Sequence, residues 1–179
     1  MEYITSSDFH FKNTAVALGK FEGIRRGHQL LMDEVKKQEL HGLRSVVFTF
    51  DRPTRLTLTG DTEYKQIYTK KERREILEKR GIDILIEHPF TKEFAALTPD
   101  RFIREVLVEK VGAKVIVVGT DFHFGKNRSG SITDLEKLEE ECGYHLIVVE
   151  KLQLNGKDIS STRIRASLEK GAMEEAKAL

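Results

Sequence analysis

The chain has 179 residues, the size of one folded domain, and needs no disulfide or metal staple to bury an adequate core. Lys and Arg total 30 against 29 Asp and Glu, a net charge of +1, so composition carries no signature of a nucleic-acid or anionic-membrane binder. One cysteine, Cys142, excludes an internal disulfide; no apolar run reaches the roughly 20 residues of a membrane helix, and the start lacks a signal-peptide layout, so a cytoplasmic domain is expected.

Short β-branched runs alternate with longer amphipathic ones. Ala15–Leu18 reads as a first strand, and Gly27-His28 then opens a helix marked by Leu31, Val35 and Gln38. Val46–Phe50 is a second strand. Asp51 to Tyr68, with Pro53, Gly60 and four threonines, keeps no period, and a stretch that long suits a lid or binding loop. Thr69 and Glu72 form a capping-box pair, and Gly81 closes the helix they open. Ile82–Ile86 is a third strand. Thr98 followed by Pro99 at the first helical position opens a helix to about Glu109. Val115–Val118 is a fourth strand, Thr133 and Glu136 a second capping-box pair, and Leu146–Val149 a fifth strand. A last helix begins near Ser161 and runs to the end. The strands show little polar alternation, as strands buried on both faces do. The expectation is an α/β fold: a Rossmann-like parallel sheet flanked by helices, with right-handed crossovers, in a single domain over 1–179.

Ligands of such sheets bind beyond the carboxyl ends of the strands. Three unusual stretches fall there: Gly19 to His28 after the first strand, Gly119 to Arg128 after the fourth, and Ile159 to Arg165 at the start of the last helix. Each is equipped for phosphate. Glycines admit close approach of backbone to an anion, helix N-termini offer unpaired N–H groups, and Arg, His, Ser and Thr add donors. His28 stands where a first helical turn begins. Ser161 and Thr162 stand in the same place on the last helix, with Arg165 one turn on. Gly125-Lys126-Asn127 lacks both the spacing and the Ser/Thr of a Walker A loop, Gly19 and Gly23 do not complete a dinucleotide fingerprint, and the six histidines show no metal-ligand spacing.

Together the stretches resemble the HxGH nucleotidyltransferases and, more narrowly, the FMN adenylyltransferase (FAD synthetase) module of bacterial bifunctional riboflavin kinase/FAD synthetases. Gly19 to His28 is similar to that family's G-x-F-D-G-x-H-x-G-H, and Thr49-Phe50-Asp51 with Pro53 to its flavin-side F-D-x-H-P segment. Pro89 to Phe94 followed by Leu97-Thr98-Pro99 is a further family string. Val118 to Phe122 with Phe124-Gly125 resembles V-G-x-D-F-x-F-G, and Ile159 to Arg165 reproduces I-S-S-T-x-x-R. There are three departures. Arg25 stands for the first histidine of HxGH, Glu22 stands for the aspartate of F-D-G, and the riboflavin kinase barrel is absent, which leaves two alternatives: a stand-alone adenylyltransferase whose FMN a separate riboflavin kinase supplies, or a module severed from a longer chain.

The resemblance implies transfer of AMP from ATP to FMN, giving FAD and pyrophosphate, with Mg²⁺ carried largely by phosphates and water. It places His28, Arg25, Ser161, Thr162 and Arg165 on the ATP phosphates. It places Gly19, Phe21 and Gly23 around the nucleotide, and Asp51, Pro53, Asp121 and Phe124 on the flavin side. The nucleophile is already an anion, so Arg25 can serve as a cationic clamp even though guanidinium cannot give up a proton. The alternative is a non-catalytic flavin or adenine-nucleotide binding relic.

Overall fold

The computed structural model describes residues 1–52, 54, 67–154, 157–159 and 161–174. Six strands are Glu2–Ile4 (β1), Thr14–Leu18 (β2), Arg44–Phe50 (β3), Ile84–His88 (β4), Ala113–Gly119 (β5) and His145–Val149 (β6). They pair in parallel in the order β1-β4-β3-β2-β5-β6. Five match the β-branched runs. β4 begins two residues later than its run, because Ile82 N–H still bonds to Leu77 O and Asp83 turns its carboxylate to the N–H and hydroxyl of Ser45. β1 is an unexpected edge strand of three residues, paired Tyr3 to Leu85 on β4. A second unexpected element is the antiparallel hairpin of Gln153–Leu154 (β7) with Lys157–Asp158 (β8).

The helices are Arg26–Lys37 (α1), Lys70–Lys79 (α2), Lys92–Ala95 (α3), Pro99–Arg101 (α4), Ile132–Cys142 (α5) and Ser161–Glu169 (α6). The Thr69–Glu72 capping box forms reciprocally at the start of α2. The box of α5 is Ser131 with Asp134, not Thr133 with Glu136: the same spacing is satisfied two residues earlier, and Ser131 N–H donates to Asp134 Oδ2 at 2.8 Å. The expected helix from Pro99 changes register after one turn and continues as a π-helix, Phe102–Lys110, with Val111 N–H bonded to Val106 O. Gly112 follows at φ +68°, and a Cβ there would lie 2.2 Å from Phe11 O, so only glycine fits. α6 stops at Glu169 rather than running to the end; Gly171 at φ +70° follows it.

Alternation along the strands sends side chains to two covered faces. Ala15 and Ala17 of β2 face α1 and α2, packing with Leu31, Met32, Val35 and Leu77. Val16 and Leu18 face the other layer, packing with Ile103 and Leu107 of the π-helix and Leu135 of α5. Ile159 and Ile164 form a small third cluster with Ile67 and Leu152. No described helix is long and apolar enough to cross a membrane. Strand β3 continues outward from β2 on one side and β5 lies on the other, so the loops after β2 and β5 diverge and leave a crevice between them.

Candidate active site

That crevice holds a cleft of about 470 Å³, lined from the carboxyl ends of β2, β3, β5 and β6. The size is that of a small-molecule site. Its two halves differ in chemistry.

One half is aromatic. Phe48 and Phe50 come from β3, Phe90 and Phe94 from the segment after β4, Phe102 from the start of the π-helix, and Phe122 and Phe124 from the loop after β5. Their rings make a continuous wall: Phe50 to Phe90 at 4.7 Å, Phe94 to Phe102 at 6.0 Å, Phe102 to Phe124 at 5.3 Å. Gly130 leaves room for this wall. Its backbone exchanges both hydrogen bonds with Phe124, and a Cβ there would stand 2.9 Å from the Phe124 ring. Buried His88 backs the wall, stacked 5.6 Å from Phe48 and tilted 4.3 Å from Phe94, with Nδ1 against Pro89 O at 2.9 Å.

The other half is polar: Gly19, Lys20, Arg25, Gly27, His28 and Thr162 line it. Arg25 occupies the N-cap of α1, no side chain caps that terminus, and no acidic residue sits in the first turn. Uncapped N–H groups and the positive end of the helix therefore meet the cleft, the arrangement that attracts an anion. The loop is held in an unusual backbone state to achieve this. Phe21 and Ile24 adopt φ of +46° and +34°, left-handed values that non-glycine residues avoid unless their surroundings impose them. The Phe21 ring is fully buried and lies 4.7 Å from the His28 ring, forming its floor.

His28 is 5% exposed, and its Nδ1 is buried without a hydrogen-bond partner among the described residues. Burial, then the nearby Arg25 charge, pushes its imidazole down to about 3. The ring is therefore neutral at physiological pH, a donor rather than a cation. His88 is lowered too, first by burial. The sign of the linkage is fixed. Between about pH 6.5 and 3 the unfolded chain holds a proton on His28 that the folded chain refuses, so stability falls as pH falls through that window. The urea midpoint is expected to drop between pH 6.5 and 5, above the range where Asp51 and Asp83, both lowered from 3.8, begin to contribute. A flat midpoint over that interval would contradict the buried neutral imidazole.

Asp121 and Phe124 line the cleft, Asp121 with its carboxylate 3.2 Å from Lys151. Asp51 lies outside it and holds Phe90 N–H at 3.0 Å, which fixes one aromatic wall. Gly23 and Arg165 are not among the lining residues; Arg165 pairs with Glu22 at 2.8 Å. Ser161 begins α6, while Pro53 and most of the 51–68 loop lie outside the described residues. Sequence reasoning missed Thr54, Lys151 and the backing histidine His88. It also missed the convergence of the phenylalanines, whose only signal was their recurrence at the carboxyl ends of successive strands.

The sheet order, with a cleft at the β2/β5 switch point, defines an α/β nucleotidyltransferase-like fold. The crystal structure of a Streptococcus pneumoniae protein described as a macrolide-efflux protein is similar, with a TM-score of 0.84 and 28% identity over 98% of this chain and 59% of that one. The family model described as FAD synthetase matches residues 8–163, and the chain belongs to that family. It is 32% identical over 178 residues to the bifunctional riboflavin kinase/FMN adenylyltransferase of Listeria monocytogenes, covering 98% of this chain and 56% of that protein. It is 30% identical over 169 residues to the protein of the same name from Buchnera aphidicola, covering 93% and 54%. The chain thus spans about half the length of these curated relatives.

Proposed function

We propose that the chain is an FMN adenylyltransferase, joining FMN and ATP to give FAD and pyrophosphate. The observation that carries this is a single cleft in which an uncapped, cation-lined helix terminus continues into a wall of phenylalanines. The first half suits a polyphosphate; the second suits a flat, largely apolar ring system.

The FMN phosphate is an anion at neutral pH, so attack on the α-phosphorus of ATP needs no base. The protein's task is to align the two phosphates and stabilise charge on the transferring and leaving groups. The α1 amides, the His28 ring and the Thr162 hydroxyl supply hydrogen bonds; Arg25 and Lys20 supply charge. Arg25 reaches Ile159 O with Nη1, so its cation is held at the wall rather than free in solution. Asp121 and Phe124 belong to the flavin half on this reading. Among the described residues no three His, Cys, Asp or Glu side chains converge on a metal position. Asp121 and Glu150 are the carboxylates at the cleft wall, and Mg²⁺ would be held there largely by substrate phosphates and water. When bound, the ion would offset phosphate charge.

Incubating the protein with FMN, ATP and Mg²⁺ and separating the flavins by chromatography is expected to show stoichiometric FAD and pyrophosphate. Nucleotide binding with FMN left unconverted would overturn the enzyme and leave a binding module. The bifunctional relatives are named for riboflavin kinase as well; FMN for this chain would come from a kinase outside the described fold.

A further inference from the structure

The two positions where the loop after β2 departs from the family pattern, Glu22 and Arg25, both reach to one partner segment. Arg25 Nη1 donates to the carbonyl of Ile159 at 2.8 Å, and Arg165 Nη2 donates to Glu22 Oε2 at 2.8 Å. The ties are crossed. In one the loop supplies the cation and the 159–165 segment the acceptor; in the other the roles reverse. They fall on either side of Thr162, the residue this segment delivers to the cleft. The Glu22 side chain is 9% exposed and that of Arg165 21%, so the pair is shielded from the solvent that makes surface pairs weak. Among the described residues, Ile159 and Ile164 of the same segment pack with Ile67 and Leu152, apart from both faces of the main core.

We infer that Glu22 and Arg25 are positioning residues: they clasp α6 to the α1 terminus and so hold Thr162 at the phosphate end of the cleft. The inference rests on the adenylyltransferase reading for the nature of the ligand, an adenine nucleotide, and on geometry alone for the clasp. Arginine at position 25 can hold a carbonyl with one arm of its fork and keep its charge at the cleft wall, which a neutral imidazole cannot. An element packed in a cluster apart from the main core opens locally before the fold unfolds. Losing one tie therefore frees the first turn of α6, and a nucleotide must reorder it on binding, which weakens affinity by the fraction of closed molecules lost.

The test uses the full chain, wild type, Glu22→Gln, Arg165→Met and the double variant, with two readouts. These are ADP affinity by calorimetry, and amide hydrogen exchange of residues 161–169 without ligand. Each single variant is expected to weaken ADP about tenfold and to speed exchange in α6 about tenfold, with the double variant no worse than the worse single. Exchange in β2 and β5 stays at the wild-type level and reports an intact fold. Affinity and α6 exchange within about twofold of wild type, additive losses in the double variant, or faster exchange without weaker ADP binding would each overturn the clasp. If the wild-type chain binds no ADP, the functional reading fails, while the exchange pattern still decides whether the clasp exists.

Discussion

Replacing His28 with leucine is expected to slow FAD formation by about 10²–10³-fold while leaving the thermal midpoint unchanged or raised. The loss in rate follows from removing one aimed donor at the place where charge develops. The stability outcome follows from the geometry of the ring. His28 is buried against Phe21 with Nδ1 unpartnered, and burial holds the imidazole in its neutral form. A desolvated polar atom without a partner disfavours folding, so an apolar side chain of similar size removes that cost. On the proposed function, the position trades stability for chemistry, as functional sites do. Turnover within about tenfold of wild type would remove His28 from the reaction. A collapsed fold would show that the ring is a packing element instead.

The largest expected loss of stability lies elsewhere, at Arg73 on α2. Its guanidinium pairs with Glu87 on β4, whose side chain is 1% exposed, and Tyr3 donates to the second Glu87 oxygen at 2.6 Å. Burial and the Glu87 carboxylate push the Tyr3 hydroxyl up to about 12, so it remains a donor. Arg73→Met strands the Glu87 charge with one neutral partner. The expected cost is about 3–5 kcal/mol, because breaking one side of a buried pair leaves an uncompensated ion. For a chain of this size that lowers the midpoint on the order of 10 °C. Arg73→Met with Glu87→Leu is expected to recover most of the loss, since the buried charge goes with its partner. A single-variant shift under about 3 °C, or a double variant worse than the single, would contradict this account.

The fold was legible where physics writes itself into short runs. Doubly buried parallel strands must be apolar and β-branched over four or five residues, and β2, β3, β5 and β6 announce themselves that way. β1 does not, because Glu2–Ile4 becomes a strand only by pairing with β4, 82 residues downstream. The π-register of Phe102–Lys110 left no mark either, since the same residues suit an α-helix. In the cleft, the loop after β2 and the start of α6 were legible because glycines, hydroxyls and charges cluster locally. The aromatic half is assembled from four separate stretches, and only the sheet order brings them together. The Arg165 pair with Glu22 left no mark in the sequence either: its two partners lie 143 positions apart, and residue type suggests only that Arg165 carries charge.

The aromatic wall has a photophysical consequence. Excited flavins lose their emission by taking an electron from tryptophan or tyrosine; phenylalanine is too hard to oxidise to serve. The chain has no tryptophan, and no described tyrosine lines the cleft. On the proposed function, an isoalloxazine seated among these rings meets no quenching side chain among the described residues, so its green glow is expected to persist, dimming once an adenine is joined to it and folds back on the ring in solution.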